Sequence, residues 1–318
     1  MNLETKRVSE LHKYYFCQLK NLFMKNLYIF VSIALILSML GCGSGKQLAH
    51  KNESAEAYYM SKNYNDALFA YSEIIKIYES NNNSAACHVY TKAGESALKT
   101  DDYKLAIDYL KKASNSNFVD ESTYLYLSQA YAKVDNLSLE MMTLVDYVEK
   151  YPNGKHIDVV KTRLFYTYVE SDNYENALEL WSDVYSDNQP DIQLLEAYFK
   201  VNKSIGNTDT CNEIAQHLIS IDADNIVALT WFGKQYYYKA EDRYRAEMTA
   251  YDNHKTNKQY KILLKALDVV TADFKKSLSY FKKMYALEPT SENANFLAHI
   301  YGRLSDKKKE AYYKGLAK

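Results

Sequence analysis

The stretches that decide the fold are NYNDAL at 63–68, DYKLAI at 102–107 and NYENAL at 173–178. Each opens with Asn or Asp followed by Tyr, and each reaches an alanine at its fifth position. Asn or Asp just ahead of an amphipathic segment is a typical helix start. A further segment with apolar residues at helical spacing precedes each stretch, as with Tyr90, Ala93, Gly94 and Ala97. The pattern predicts pairs of helices joined by tight turns.

The small-residue position of these stretches recurs along the chain. It falls on Ala67, Ala106, Glu140, Ala177, Cys211 and Ser277, at intervals of 39, 34, 37, 34 and 66 residues. The longest interval equals the repeat length plus an insertion of 32 residues. Small residues let two helix backbones approach closely, while large residues fill the grooves between them. One such pair cannot bury its own apolar face, so neighbouring pairs must stack.

This spacing resembles the tetratricopeptide repeat, a helix–turn–helix unit of about 34 residues. The third unit carries the family pattern in Tyr124, Leu127, Ser128, Tyr131, Leu144 and Pro152. The resemblance implies an all-α fold, an α-α superhelical solenoid of about six to seven units over residues 54–318. We place the units at about 54–80, 87–118, 121–153, 158–190, 192–225, 226–290 and 291–318.

Composition agrees with this fold class. The 318 residues include only 9 Gly and 3 Pro, too few turn formers for a β-sandwich, a propeller or an α/β barrel. Hydrophobic residues make up 47% and charged residues 25%, which excludes wholesale disorder. The net charge is −1, divided into +3 over 1–42, −12 over 43–225 and +8 over 226–318. The two ends either face oppositely charged partners or balance each other within the molecule.

The insertion in the sixth unit, residues 239–273, predicts an antiparallel helical hairpin that extends beyond the stack. Its outgoing arm carries Tyr244, Met248 and Tyr251 at helical spacing. Its returning arm carries a predicted packing stripe of Tyr260, Leu264, Leu267, Phe274, Leu278 and Phe281. The hairpin is either a docking arm or a longer stacking element with an ordinary solvated face.

Residues 1–41 read as a leader and signal peptide, whose true start is either Met1 or Met24. After Met24 come a basic residue, an apolar run from Leu27 to Leu40, and small residues around Cys42. The segment resembles a bacterial lipobox, which implies a lipid on Cys42, a tether over 42–53 and an outer membrane location facing the periplasm. An uncleaved signal-anchor and a plain secretory peptide with an incidental cysteine are the alternatives. The apolar run is short for a membrane span.

The common motifs of enzymes and metal sites are missing from the sequence. It holds no His-Glu-x-x-His, no Cys-x-x-Cys and no Gly-x-Ser-x-Gly. The chain is therefore predicted not to be an enzyme, with no cofactor, no metal site and no small-molecule substrate. Its basic surplus is modest and accompanies no nucleic-acid-binding motif, so nucleic acid is not a predicted partner either.

The resemblance implies a groove lined by the first helix of successive units. The family's groove positions fall on Lys92, Glu95, Tyr126, Gln129, Lys133, Arg163, Tyr166, Trp231, Lys234 and Tyr237. Thr91 and Glu95 occupy positions where the family's carboxylate clamp needs Lys and Asn, so binding of acidic C-termini is not predicted. The predicted function is a membrane-anchored scaffold for other envelope proteins or peptides. A glycan-capturing outer-membrane lipoprotein and a regulatory module of a sensor system are the alternatives.

Overall fold

The structure, a computed structural model, describes residues 47–185 and 191–317. Every regular element within these ranges is helical, as the sequence predicted. The lipidation predicted at Cys42 falls outside them. The elements are α1 (47–60), α2 (Tyr64–Ser80), a 3-10 turn (Ser84–Ala86), α3 (Tyr90–Lys99), α4 (Tyr103–Ser114), α5 (Glu121–Lys133), α6 (Leu137–Lys150), α7 (Ile157–Glu170), α8 (Tyr174–Val184), α9 (Ile192–Ser204), α10 (Thr208–Ile221), α11 (Ile226–Asn253), α12 (Asn257–Leu287), α13 (Ser291–Arg303) and α14 (Lys307–Leu316).

The chain divides into two compact units, Met1–Lys155 and His156–Lys318. Helices α1 to α6 belong to the first unit, and helices α7 to α14 belong to the second. Within each unit, consecutive helices pack as antiparallel pairs, and each pair packs on the next. The predicted α-α solenoid architecture is confirmed in this form.

The turn between the two helices of a pair has one recurring geometry. Six of these turns contain a residue with positive φ, namely Lys62, Asp101, Asp135, Asp172, Gly206 and Ser305. An Asn or Asp follows it at the N-cap position of the second helix, and the side chains of Asp102, Asn136 and Asp306 accept a cap hydrogen bond from a backbone N–H. The carboxylate of Asp102, for instance, accepts a hydrogen bond of 3.1 Å from the amide N–H of Leu105. A residue with positive φ followed by an N-cap residue reverses the chain within three residues. This geometry explains why an Asn or Asp precedes the tyrosine in each of the three quoted stretches.

The recurring small residues lie where the paired helices approach most closely. Ala67, Ala106, Ala177, Cys211 and Ser277 are all fully buried. A methyl group built on Gly94 would stand 2.4 Å from Cγ of Leu110, so only hydrogen fits there. In the sixth pair, the Ser277 hydroxyl donates a hydrogen bond of 2.8 Å to the carbonyl oxygen of Gly233.

Two features depart from the small-residue rule. Glu140 occupies the small-residue position of the third pair and is nevertheless buried. Phe165 and Phe199 stand in α7 and α9 where α3 and α11 carry Gly94 and Gly233, and both are buried. In these two pairs a buried phenylalanine ring fills the position that glycine occupies in α3 and α11.

The predicted hairpin consists of α11 and α12, with 28 and 31 residues, joined by residues 254–256. The predicted stripe on its returning arm is partly wrong. Leu263 and Val270 are buried in the contact surface between α11 and α12, called the seam below, whereas Tyr260 and Leu264 are exposed. At about 100° per residue, Leu263 lies within about 20° of Val270 and of Phe274 around the helix, while Leu264 lies about 80° from Phe274. Leu263 and Val270 therefore lie on the same side of α12 as Phe274.

Candidate peptide-binding groove

In the first unit, three predicted groove residues are occupied by contacts between helices. The Lys92 ammonium forms an ion pair of 2.6 Å with Glu56 of α1 and lies 5.4 Å from the ring centre of Tyr59. Glu95 is 7% exposed and accepts hydrogen bonds from the hydroxyls of Tyr59 and Tyr126. Lys92, Glu95 and Tyr126 therefore join α1, α3 and α5 to each other.

The environment of these tyrosines favours their neutral form. Burial raises the pKa of Tyr59 above its ordinary value, and the hydrogen bond to Glu95 raises it further. The pKa of Tyr126 is raised for the same two reasons, burial being the larger. Of the residues predicted for the groove in this unit, Gln129 and Lys133 remain exposed on α5.

In the second unit, Arg163 and Tyr166 of α7 are half-buried. The Arg163 guanidinium donates hydrogen bonds of 3.1 and 3.3 Å to Glu170 of the same helix. The Tyr166 ring packs edge-on against Phe165, with 6.0 Å between ring centres, and burial raises its pKa. Both residues thus belong mainly to the packing of α7.

Trp231 and Lys234, the next two predicted residues, line a pocket of about 500 Å³ in the second unit. The pocket lies between α9, the start of α10 and one face of α11. Its other lining residues are Phe199, Lys203, Thr208, Ile226, Val227, Thr230, Gln235 and Tyr238. The structure therefore brings together two of the ten predicted groove residues at one concave site.

The aromatic wall of the pocket is held in a fixed orientation. The Trp231 indole N–H donates a hydrogen bond of 2.8 Å to Oδ1 of Asn212, which also accepts one of 2.9 Å from Gln235. The Trp231 ring meets Phe199 edge-on, with 5.4 Å between ring centres. Because these contacts within the protein fix the indole, it needs no ordering when an apolar group enters.

The rim of the pocket is basic. Lys203 at the end of α9 is exposed and makes no ion pair with the described residues. Lys234 forms an ion pair of 2.7 Å with Glu292 and lies 5.5 Å from the ring centre of Phe296. Lys203 is therefore the cation most available to a ligand in this pocket.

Tyr237 is the predicted groove residue that the structure places elsewhere. It is 8% exposed and packs between Phe274 and Phe296, and its hydroxyl lies 3.2 Å from Nδ1 of His299. Burial raises its pKa, with a further contribution from Glu241. Tyr237 belongs to the core between α11, α12 and α13, because the terminal helix pair covers that side of α11.

Three residues that line the pocket were not among the predicted groove residues: Phe199, Lys203 and Tyr238. Tyr238 directly follows Tyr237 and is 53% exposed. Lys203 lies 34 residues before Tyr237, so the groove position of Tyr237, applied to α9, would have indicated it. Phe199 was recognisable as a large side chain at a position that carries glycine in α3 and α11.

Two other kinds of site were sought in the residues that the structure describes. Within residues 47–185 and 191–317, no group of three or more His, Cys, Asp or Glu side chains is arranged to hold a metal ion. No helix in those ranges is both long enough and apolar enough to span a bilayer. The thiols of Cys87 and Cys211 are free and buried.

No protein-family profile matches the sequence, and no curated protein matches it. Solved structures do match the fold. The C-terminal part of a TPR repeat-containing protein from Cytophaga hutchinsonii is 12% identical, with a TM-score of 0.50, over 83% of this chain and 93% of that one. A tetratricopeptide repeat protein from Parabacteroides merdae is 12% identical, with a TM-score of 0.45, over 86% and 92%. YrrB, described as a TPR protein with an unusual peptide-binding site, is 19% identical, with a TM-score of 0.46, over 55% and 87%.

Proposed function

We propose that this chain, which has the tetratricopeptide-repeat fold, is a non-enzymatic scaffold that binds a segment of another protein. The binding site is the pocket between α9 and α11. The observation that carries the proposal is the fixed apolar wall of Trp231 and Phe199, beside Lys203, which makes no ion pair with the described residues. Rigid aromatic anchors in a concave, largely apolar site are typical of the centres of protein interfaces.

The chemistry of the pocket indicates the kind of segment it accepts. Ile226, Val227 and the rings of Trp231 and Phe199 suit one apolar side chain of a peptide. Lys203 suits an Asp or Glu side chain near that anchor, because an exposed ammonium attracts a carboxylate and speeds encounter. The ligand is therefore a peptide segment with an apolar anchor and a neighbouring acidic residue.

We further propose that the scaffold works in the bacterial envelope, tethered by a lipid on Cys42. The support is the order of basic start, apolar run and small residues that ends at Cys42. A single acyl chain anchors a protein only weakly, so the proposal requires the multiple acylation that lipobox cysteines receive. The chain would then be anchored in an outer membrane and face the periplasm, and its partners would be other envelope proteins.

The pocket is tested by selecting displayed random peptides on the full chain purified in detergent. Selected peptides should carry an apolar residue beside Asp or Glu. They should bind at least about tenfold more weakly to Trp231→Ala, a loss typical of a central aromatic anchor. Lys203→Glu, an exposed substitution that leaves the core intact, should weaken binding of the same peptides.

The control is Tyr312→Ala, which removes a 61% exposed aromatic ring of α14 that lies outside the pocket. Peptide affinity should be unchanged in this variant. Equal affinity for the wild-type chain and for both pocket variants would show that the segment binds elsewhere and would overturn the proposal.

A further inference from the structure

The outer part of the α11–α12 hairpin exposes apolar side chains that the seam between its arms does not use. Tyr260 and Leu264 of α12 are 47% and 45% exposed and lie one helical turn apart on the same edge. Ile262 and Val269 are 43% and 40% exposed and lie on the other edge of α12. The helix is therefore apolar on both sides of its solvent face.

The edge with Tyr260 and Leu264 is the wider of the two apolar edges. The ring of Tyr251 on α11 lies 5.8 Å from the ring of Tyr260, measured between centres. Both arms of the hairpin thus contribute to one apolar strip, which we call the hairpin strip (Tyr251, Tyr260 and Leu264). A strip of this shape fits the apolar face of a third helix.

A row of lysines lies between the two apolar edges, on the solvent side of the hairpin strip. Lys258, Lys261 and Lys265 are exposed, and none of them makes an ion pair with a described residue. At about 100° per residue these three side chains fall within about 60° of each other, opposite the buried seam. A helix lying in the hairpin strip would place its own flank beside this row, where acidic residues would find oppositely charged partners.

We propose that the hairpin strip binds an acidic amphipathic helix of a partner protein. Charge argues against the hairpin of a second copy as the occupant, because residues 239–283 contain 11 basic and 6 acidic residues and two such hairpins would repel. Geometry argues against a bilayer, because the lysines point furthest from α11 while Tyr260 and Leu264 face sideways.

The probe is a synthetic amphipathic peptide of about 21 residues, long enough to form a helix in water. It has a leucine stripe and glutamate flanks, and the comparison peptide has lysine in place of every glutamate. We expect the acidic peptide to bind the full chain at least about tenfold more tightly, with an affinity that falls as salt rises.

Two pairs of variants locate the site. Leu264→Glu and Tyr260→Glu should each lower the affinity for the acidic peptide by about tenfold, as loss of a central apolar anchor does. The controls, Ile262→Ser and Val269→Ser, remove apolar area at similar exposure on the other edge without adding a carboxylate beside Lys258 and Lys265, and they should change affinity by less than about twofold. Trp231→Ala should leave this binding intact, which separates it from the groove.

Several outcomes would overturn the proposal. Equal binding of the acidic and basic peptides, or equal losses in the two pairs of variants, would show that the strip does not recognise an acidic helix. Stronger retention on phosphatidylglycerol vesicles that is lost in Leu264→Glu would identify a membrane surface instead. Dimerisation in sedimentation that is lost in the same variant would identify a self-association face.

Discussion

The guanidinium of Arg303, the last residue of α13, donates hydrogen bonds of 2.7 and 2.8 Å to the two carboxylate oxygens of Glu241 on α11. Glu241 is 4% exposed, and the Arg303 guanidinium also lies 4.2 Å from the ring centre of Tyr244. This contact joins the terminal helix pair to the hairpin. We expect Arg303→Met to lower the free energy of unfolding by about 3 kcal/mol, because it leaves a buried carboxylate without its main partner.

Both tryptophans, Trp181 and Trp231, belong to the second unit. Urea unfolding followed by tryptophan fluorescence therefore measures that unit. The matched control is Arg245→Met, because Arg245 lies 3.6 Å from Glu241 but its side chain is 73% exposed. We expect it to cost less than about 1 kcal/mol. Similar losses in the two variants would contradict the buried-pair interpretation.

Gly94→Ala should destabilise the first unit by about 1–3 kcal/mol, although alanine is the better helix former. The new methyl group would meet the buried side chain of Leu110 at 2.4 Å. Thermal unfolding by circular dichroism measures the change. Gly315→Ala is the control, because nothing lies within 4 Å of its methyl position. It should leave stability unchanged or raise it by up to about 1 kcal/mol.

The first unit should lose stability at alkaline pH through Tyr59 and Tyr126, whose pKa values burial and Glu95 raise. The folded unit holds these protons when the unfolded chain releases them, near the ordinary tyrosine pKa of about 10. The stabilisation is therefore fully present below about pH 10 and declines as pH rises toward the folded-state pKa.

Tyr59→Phe should flatten this decline, measured by circular dichroism in urea at several pH values between about 8 and 11. Tryptophan fluorescence of the second unit serves as the internal control and should show the same pH dependence in both proteins. An unchanged slope for the first unit in Tyr59→Phe would contradict the assignment.

Cys42→Ala should abolish incorporation of labelled palmitate in bacterial cells and leave the chain at its unprocessed length. A thioether-linked lipid requires the thiol, so no neighbouring residue can replace it. Cys17→Ala is the matched control, since Cys17 precedes Met24, and it should retain the label. Label that persists in Cys42→Ala would refute the lipid assignment.

The helix pairs could be predicted from sequence because their signals are local. The small residue at Ala106 or Ala177 and the capping Asp or Asn before it lie within one turn of each other. The small residue and the N-cap residue both mark the place where two helix backbones approach closely. Their spacing in sequence is therefore constant, and the pairs can be recognised without knowing which other helices they contact. The same locality explains why the hairpin of α11 and α12 was predictable as a whole.

Side-chain partners across helices could not be predicted in this way. Glu95 was predicted to face a ligand, but its carboxylate is held by Tyr59 and Tyr126, which lie 36 and 31 positions away in sequence. Tyr237 has its groove side covered by α13, and α13 lies some 60 residues further along the chain. Leu263, and not the predicted Leu264, is buried in the seam because the position of α11 decides which face of α12 is covered.

The continuous arms of the hairpin have a consequence for how this protein can vary. The described contacts of α11 with α13 extend to Tyr244, and Leu263 is the only buried residue of α12 before Val270. Between Tyr244 and Val270 the two arms contact mainly each other, so equal lengths could be removed from both without disturbing the helix pairs. The length of the hairpin and the residues at its tip can therefore change in evolution without changes in the repeats that carry it.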